Sequence, residues 1–439
     1  MKKFIKSKLS DELLRHSGIL FLTTILAGVC NFLFQIFMNH GLSSSGFATL
    51  YTLLAVTMIA SIPGMSIQTV MTKQTSHLKA KNETDKIAAA ALKFLTRVLL
   101  ISGAALLVIF IFSPKIAAYL KIESINPILI VGLIISLSLI LPVGYGILQG
   151  LQDFKFLGIS MTFFTLSRLL VALLFVFVFH FGVSGALASS IIAFIAACVW
   201  IFAALKKELK VDNIPEVSAE KMESFMWVSL VTFTFMYLLS FVDIILVKHF
   251  FSPEQSAQYS AASLLGRAVF YFPWAISGAM FPKVSFAHSR GEDTTIFLKR
   301  SLKYSFLLSI FPAACFLFVP GVFLGILKPE YLNSAYLLKI FGVTLLPLVL
   351  LTVLVYYNLA ICNKRIMVAL GIGTIFHLFV LNAFHHSLLQ VIIAIGASGL
   401  IILMGTLLIT PIRMKRAGNT RASNRDHSLK KREEKNVTV

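Results

Sequence analysis

Apolar residues are grouped along this chain into long runs of about twenty residues, separated by short polar connections. A helix needs ~20 apolar residues to cross the ~30 Å hydrocarbon core of a bilayer. The runs are too long and too uniformly apolar for the strands of a membrane barrel. The pattern therefore predicts an all-α polytopic membrane protein. The twelve predicted transmembrane helices are residues 17–38, 47–71, 88–112, 127–150, 157–180, 183–205, 225–250, 256–282, 301–325, 334–358, 366–384 and 387–410.

The connections between these helices predict their orientation. Several are very short, such as residues 181–182, so neighbouring helices run antiparallel and leave no room for an extramembrane catalytic domain. Lys and Arg collect in cytoplasmic loops. With the N-terminus inside, the inner segments carry 29 Lys and Arg, whereas the outer loops carry 4. This ratio predicts a multi-pass protein of the cytoplasmic (inner) cell membrane with both termini in the cytoplasm.

The sequence also repeats weakly at a spacing of about 210 residues. Pro63 in the second helix matches Pro273 in the eighth, and Lys73 matches Lys283 just beyond each helix. Two halves with an even number of helices must be parallel repeats, and transporter substrates bind between such halves. Pro63 and Pro273 are candidate hinges between moving parts, although bends that only shape the bundle explain them equally well. The predicted divisions are a cytoplasmic N-terminus (1–16), a six-helix half (17–205), a cytoplasmic linker (206–224), a second six-helix half (225–410) and a basic, disordered cytoplasmic tail (411–439).

Composition narrows the function classes. Of 439 residues 57% are hydrophobic, mean hydropathy is +0.86 and the formal net charge is +20. Most of the positive charge lies in loops and the tail, where it faces membrane lipid headgroups, so nucleic acid is not an expected partner. No nucleophile–base pair, phosphate-binding Gly-rich motif or metal-ligand spacing occurs, and the four cysteines are scattered through apolar runs. We therefore expect no enzymatic activity, no cofactor and no metal.

Charged residues inside the predicted helices are few and mostly positive. Arg97, Arg168 and Arg267 each lie about ten residues from a helix start, near the bilayer midplane, and Asp243 is the one acidic residue at comparable depth. A charge at that depth costs at least ~2.5–3.5 kcal/mol, so it usually faces the bundle interior or a wet cavity. The excess of positive charge predicts an anionic ligand. Pairing of each arginine with Asp243 or with backbone carbonyls, or snorkelling, is the alternative.

The chemistry of arginine favours phosphate as that anion. Its planar guanidinium makes paired, charge-assisted hydrogen bonds, and a pyrophosphate carries enough charge for two or three such groups. Lys93, one turn before Arg97, shares its helix face and is a further candidate. Two roles remain open for Asp243. It forms a structural ion pair with Arg267, or it binds a proton or cation that couples transport to an ion gradient.

Uncharged polar residues also lie at membrane depth, namely Asn31, Gln35, Gln68 and Tyr259. Asn31 and Gln35 are four residues apart and share one helix face. Hydrogen bonding between helices is the usual explanation for such residues. Lining of the cavity is the functional alternative, and these four side chains are the candidates for it.

Two segments resemble a known family. FVDIILVKHFF (residues 241–251) followed by YSAASLLGR (residues 259–267) is similar to a hallmark of polysaccharide-export flippases, with Ala257 where that family usually has Gly. GILQGLQDFK (residues 146–155) is similar to the family's G-x-L-Q-G-x-x-x-F loop after the fourth helix. With twelve helices in two halves, the resemblance covers nearly the whole chain. It is to the O-antigen or capsule-repeat flippases of the multidrug/oligosaccharidyl-lipid/polysaccharide exporter superfamily.

This resemblance implies translocation of a polyprenyl-pyrophosphate-linked oligosaccharide from the cytoplasmic to the outer leaflet, for cell-surface polysaccharide biosynthesis. It implies alternating access, with Arg267 as the residue that the motif itself carries over, and a polysaccharide polymerase and chain-length proteins as partners. Two related functions are alternatives. Lipid II flippases usually have fourteen helices and cationic residues in the first two, which carry none here. Multidrug antiporters bind cationic drugs through buried carboxylates, which this chain almost lacks.

Overall fold

Helices make up the regular structure of the described chain. The computed structural model describes residues 23, 25–80, 83, 86–206, 223–289 and 291–411. The predicted N-terminal segment, most of the linker and nearly all of the tail lie outside these residues. The helices of the first half are α1 (Ile25–Gly41), α2 (Ser44–Ala60), α3 (Ile62–Ala80), α4 (Lys86–Tyr119), α5 (Asn126–Ser138), α6 (Leu141–Gly150), α7 (Phe154–Leu173, then a π-turn at Leu174–Val178) and α8 (Gly182–Ala204).

The second half contains nine further helices. They are α9 (Glu223–Phe250), α10 (Pro253–Gly266, then a 3₁₀ turn at Arg267–Phe270), α11 (Tyr271–Ser289), α12 (Thr295–Phe318), α13 (Pro320–Leu327, then a 3₁₀ turn at Pro329–Ser334), α14 (Ala335–Thr344), α15 (Leu346–Ala360), α16 (Arg365–Ala383) and α17 (Leu388–Ile409). Ten helical stretches of the described chain are long and apolar enough to cross a membrane. Two other predicted spans correspond to α1 and to the interrupted pair α10–α11.

Four of the predicted spans are broken near their middle, at equivalent places in the two halves. The second span is α2–α3 and the eighth is α10–α11, while the fourth is α5–α6 and the tenth is α14–α15. In each case a proline lies in the first turn of the resumed helix, where the missing N–H has no helical partner to lose. These prolines are Pro63, Pro142, Pro273 and Pro347. The weak sequence repeat thus has a structural counterpart.

The packing of the helices repeats in the same way. Three helix pairs of the first half have counterparts in the second half. The α3–α6 pair corresponds to α11–α15, the α4–α5 pair to α12–α14, and the α7–α8 pair to α16–α17. Contacts between the halves are made mainly by α2 with α9 and α10, and by α3 with α9. The protein is therefore built as two parallel six-helix halves around a central cavity, as the sequence predicts.

Two glycines allow close packing of α6 against α3 in the first half. Gly146 and Gly150 lie four residues apart on α6 and face α3. A Cβ at Gly146 would lie 2.7 Å from the backbone oxygen of Gln68, and one at Gly150 would lie 2.7 Å from that of Thr72. Small residues at this spacing let membrane helices approach closely. Interhelical hydrogen bonds then form, including one that Gln68 Nε2 donates to Gln149 Oε1 at 3.1 Å.

We expect Gly146→Ala and Gly150→Ala each to destabilise the protein by about 1–3 kcal/mol, because the added methyl groups meet backbone atoms that cannot move aside locally. Thermal unfolding of the purified protein in detergent measures this effect. Gly103→Ala is the matched control, since a Cβ at Gly103 of α4 meets nothing within 4 Å. Equal stability of all three variants would contradict the packing argument.

The halves also meet at the end where α1, α4 and α9 terminate, which is the predicted outer end. The His249 ring stacks on Tyr119 with centroids 3.9 Å apart, and its Nδ1 lies 2.6 Å from the Tyr119 carbonyl oxygen. Lys328 Nζ donates to the Leu42 carbonyl oxygen at 2.7 Å. These contacts join the first half to the second on one side of the central cavity.

Candidate functional site

A cavity of about 450 Å³ lies between the two halves. The first half contributes residues of α1, α2, α5, α7 and α8, with the Ser61 turn, and the second half contributes α9, α10, α11 and the 3₁₀ turn. Aromatic rings and small polar groups make up much of the lining, together with two arginines. The lining includes Asn31, Gln35, Tyr51, Ser61, Ser138, Phe164, Arg168, Ser190, Phe194, Ser240, Phe241, Arg267, Phe270 and Trp274. Of the described residues that line this cavity, none is acidic.

Arg168 of α7 reaches the cavity from the first half. Its guanidinium lies over the Phe34 ring of α1, 3.8 Å from the centroid, and its Nη1 donates to Asn31 Oδ1 at 3.4 Å. Its Nε is buried and makes no hydrogen bond within the described chain. Asn31, Phe34 and Gln35 share one face of α1. Arg168 is thus held by an aromatic ring and one amide, and no carboxylate is among its partners in the described part of the chain.

Arg267 reaches the cavity from the second half and is held by its own half. Its Nη2 donates to Asp243 Oδ2 at 2.5 Å and its Nε to Ser263 Oγ at 2.8 Å, while its Nη1 donates to the Ser240 carbonyl oxygen. The Asp243 carboxylate also accepts a hydrogen bond of 2.5 Å from the hydroxyl of Tyr259. Only 1% of Asp243 is exposed, against 9% of Arg267. The pair is therefore a buried ion pair with one face on the cavity.

Helical spacing explains this network. Tyr259, Ser263 and Arg267 follow one another at four-residue intervals along α10 and its terminal turn, so they form one stripe. Ser240 and Asp243 are three residues apart on α9 and form the facing stripe. Gly266 allows α10 to approach α14, because a Cβ there would lie 3.0 Å from the Phe341 ring. The chain segment that resembles the flippase hallmark therefore folds into the arginine site of the second half.

Two buried polar residues that sequence reasoning missed belong to this region. The Tyr51 hydroxyl of α2 lies 3.4 Å from Ser263 Oγ and links the first half to the Arg267 network. His377 of α16 is fully buried, with Nδ1 2.6 Å from Ser398 Oγ and with Nε2 making no hydrogen bond in the described chain. Neither residue has a distinctive sequence neighbourhood. The one sequence feature that could have identified them is a polar side chain deep within an apolar helix.

Several predicted residues lie elsewhere. Arg97 and Lys93 of α4 are exposed and are not among the cavity-lining residues, so the structure does not bring all three arginines together. α4 packs chiefly on α5 and leaves much of its surface, including Arg97, uncovered. Gln68 pairs with Gln149 between α3 and α6, and Tyr259 is wholly buried behind Arg267. Gln68 and Tyr259 are therefore not among the cavity-lining residues, whereas Asn31 and Gln35 are.

Comparison with solved structures identifies the fold. An inward-facing multidrug resistance MATE family transporter of the MOP superfamily aligns with a TM-score of 0.72 at 13% identity, over 88% of this chain and 95% of that one. The lipid II flippase MurJ in its inward closed conformation aligns at 0.68 and 14% identity, over 89% and 86%. A MOP superfamily transporter from Pyrococcus furiosus with a binding pocket of reverse polarity aligns at 0.60 and 14%, over 92% and 96%.

These similarities show that the chain has the fold of MOP superfamily transporters, and its ten long apolar helical stretches support a multi-pass membrane protein. The similar structures are transporters and flippases rather than enzymes. No family model matches the sequence. A curated relative, an uncharacterized membrane protein of Methanocaldococcus jannaschii, is 25% identical over 206 residues, which are 44% of this chain and 48% of that protein. The chain thus spans about half the length of the curated relative that it matches.

Proposed function

We propose that this chain is a flippase that moves a polyprenyl-pyrophosphate-linked oligosaccharide from the cytoplasmic to the outer leaflet of the cell membrane. The proposal rests on the cavity between the halves. Two arginines line this cavity, and none of the described residues that line it is acidic. Arg168 comes from one half and Arg267 from the other, so a phosphate group bound by both joins two bodies that alternate in access. Arginine also suits phosphate through its planar pair of donors.

The rest of the lining supports a sugar-bearing headgroup. Sugars present apolar C–H faces to aromatic rings and hydroxyl groups to polar side chains. Tyr51, Phe164, Phe194 and Trp274 supply rings, and the serines with Asn31 supply hydrogen-bonding groups. A volume of about 450 Å³ lies within the usual range for small-molecule sites. The cavity accommodates the pyrophosphate and the adjoining sugar while the prenyl chain stays in the bilayer. Pro63 and Pro273, which follow the breaks in α2–α3 and α10–α11, are the proposed hinges.

Of the two alternative functions, the cation antiporter fits the lining less well. A cation antiporter needs carboxylates facing its substrate, and Asp243, the one buried carboxylate among the described residues, is turned to Arg267. A lipid II flippase shares the fold and the lipid pyrophosphate chemistry, and the two differ in the attached glycan. The polymerase and chain-length proteins implied by the sequence resemblance remain proposed partners.

Reconstituted transport tests this function. The probe is a fluorescent short-chain prenyl-pyrophosphoryl oligosaccharide in both leaflets of a vesicle. In proteoliposomes, an external quencher is expected to reduce the fluorescence of probe that started in the inner leaflet. In protein-free vesicles, the fluorescence of that inner-leaflet probe should persist. Arg267→Ala is expected to lose this transport, because the phosphate loses its donor in the second half. A cationic dye offered to the same vesicles should not be transported. Transport of the dye without transport of the prenyl probe would favour the antiporter and contradict the flippase.

A further inference from the structure

The charges around the cavity do not match those of the proposed headgroup. Arg168 and Arg267 line the cavity, and Asp243 lies directly behind Arg267. The formal charge of these three side chains is therefore +1. A pyrophosphate with both phosphates esterified carries two negative charges. If Asp243 stayed ionised, binding would leave one uncompensated negative charge in a poorly hydrated interior, where an unpaired charge is most costly.

The contacts of Arg267 show which groups the excess negative charge would affect. Nε, Nη1 and Nη2 all donate to groups of the second half, and Asp243 Oδ2 at 2.5 Å is the charged one among them. A phosphate that reaches Arg267 from the cavity shares the same guanidinium with this carboxylate. The two anions then repel each other across a few ångströms with little water to screen them. Asp243 and the headgroup therefore compete for Arg267.

The groups around Asp243 determine how that competition is resolved. Tyr259 on α10 donates its hydroxyl to Oδ2, and Arg267 on the following turn pairs with the same oxygen. Tyr51 on α2 reaches the network through Ser263, and the buried His377 lies on α16, which packs against α9. Arg267 carries the permanent positive charge in this set. When a phosphate pairs with the Arg267 guanidinium, the other hydrogen-bond partners of Asp243 are neutral. A protonated, neutral carboxyl group is compatible with these partners.

We propose that Asp243 takes up one proton from solvent when the anionic headgroup binds, so that the headgroup replaces the carboxylate as the counter-ion of Arg267. The charges of Arg168, Arg267 and a two-charge headgroup then cancel. When the headgroup leaves, Arg267 pairs again with Asp243, which returns the proton to solvent. This inference rests on the proposed function and adds to it that a proton accompanies each headgroup.

Calorimetric binding in buffers of different protonation enthalpy tests the inference on the full chain in lipid nanodiscs. The probe is a short-chain prenyl-pyrophosphoryl monosaccharide, whose two esterified phosphates keep a charge of −2 between about pH 5.5 and pH 8. We expect uptake of about one proton per ligand. Because the complex holds one more proton than the free protein, the affinity falls as pH rises, by up to about tenfold per pH unit. A prenyl-phosphoryl monosaccharide, with one charge, should bind with less than half of that proton uptake.

Substitution locates the proton. Asp243→Asn keeps an oxygen for Arg267 and Tyr259 but mimics the neutral acid, so the two-charge probe should bind without proton uptake and with affinity independent of pH. Tyr259→Phe removes a hydrogen bond to the ionised carboxylate, so proton uptake should persist to higher pH. Asp293→Asn is the matched control, because Asp293 is an exposed carboxyl outside the cavity, and it should retain wild-type proton uptake.

The outcomes distinguish this inference from the proposed function. Tight binding of the two-charge probe without proton uptake at any pH would overturn the inference and leave the flippase proposal standing. Proton uptake that survives in Asp243→Asn would assign the proton to another group, such as His377, and would equally overturn it. If neither phosphate probe binds the wild-type protein, the proposed function fails together with the inference.

Discussion

Arg168→Ala is expected to weaken binding of a prenyl-pyrophosphoryl saccharide about 10- to 100-fold. Arg168 lines the cavity with a buried Nε that makes no hydrogen bond in the described chain, and its described partners are an amide and an aromatic ring. Its charge is thus available to the ligand. A hydrogen bond to a charged group is worth about 1.5–3 kcal/mol, and each 1.4 kcal/mol is tenfold in affinity. Fluorescence of Trp274, which lines the same cavity, is one way to measure the affinity.

Two further variants make this result specific. Arg168→Lys keeps the charge but loses the planar pair of donors, so its affinity should fall between wild type and Arg168→Ala. Arg97→Ala removes an arginine of similar predicted depth that is exposed on α4 and is not among the cavity-lining residues, so binding should be unchanged. If Arg97→Ala were as damaging as Arg168→Ala, the structural separation of these arginines would not reflect their function.

Asp243→Ala is expected to lower the free energy of unfolding by about 3–5 kcal/mol. The substitution leaves Arg267 buried without its carboxylate, and removal of one partner of a buried ion pair is far more costly than removal of both. Arg267→Met has the converse defect, because it strands the carboxylate. Thermal unfolding in detergent gives the order of stability. This effect concerns stability and is separate from proton uptake, since Asp243→Asn retains the hydrogen-bonding oxygen.

A double-mutant cycle isolates the ion pair. Asp243→Ala combined with Arg267→Met should be less destabilised than the sum of the two single variants, because neither charge is then left alone. Glu83→Ala is the matched control. Glu83 forms a surface ion pair with Lys86 at 3.2 Å, with side chains 36% and 33% exposed, and such pairs contribute at most about 1 kcal/mol. Additive losses in the cycle would show that the buried pair contributes no coupling.

The fold was largely predictable because its determinants are local. Length and apolarity of each run decide whether a helix crosses the bilayer, and the paired prolines Pro63 and Pro273 mark equivalent breaks in the two halves. The eighth span was predicted as one helix, yet it divides at Arg267–Phe270. A composition window cannot detect that break, because the 3₁₀ turn is as apolar as its neighbours apart from Arg267 itself.

The candidate site was predictable only in part. Depth along a helix is a one-dimensional quantity, and it selected Arg168 and Arg267, whose side chains are among those that line the cavity. It also selected Arg97, which has the same depth but a different direction. Whether a side chain faces a cavity depends on which neighbouring helices cover its face of the helix. Few helices pack against α4. Gln68 and Tyr259 illustrate the same limit, since both are polar at membrane depth and both serve contacts between helices.

The sequence by itself determined that the chain is an all-helical membrane protein with two related halves and an excess of positive charge within its predicted helices. Hydropathy, proline spacing and charge are properties of single residues and short windows, so they can be identified without the tertiary structure. The tertiary structure decided how those charges are shared. It showed that Arg267 is already paired with Asp243, that Arg168 has no described carboxylate partner and that Arg97 is exposed on α4. Electrostatic pairing depends on distances of a few ångströms between residues that are far apart in sequence, and only the packing of the helices sets those distances.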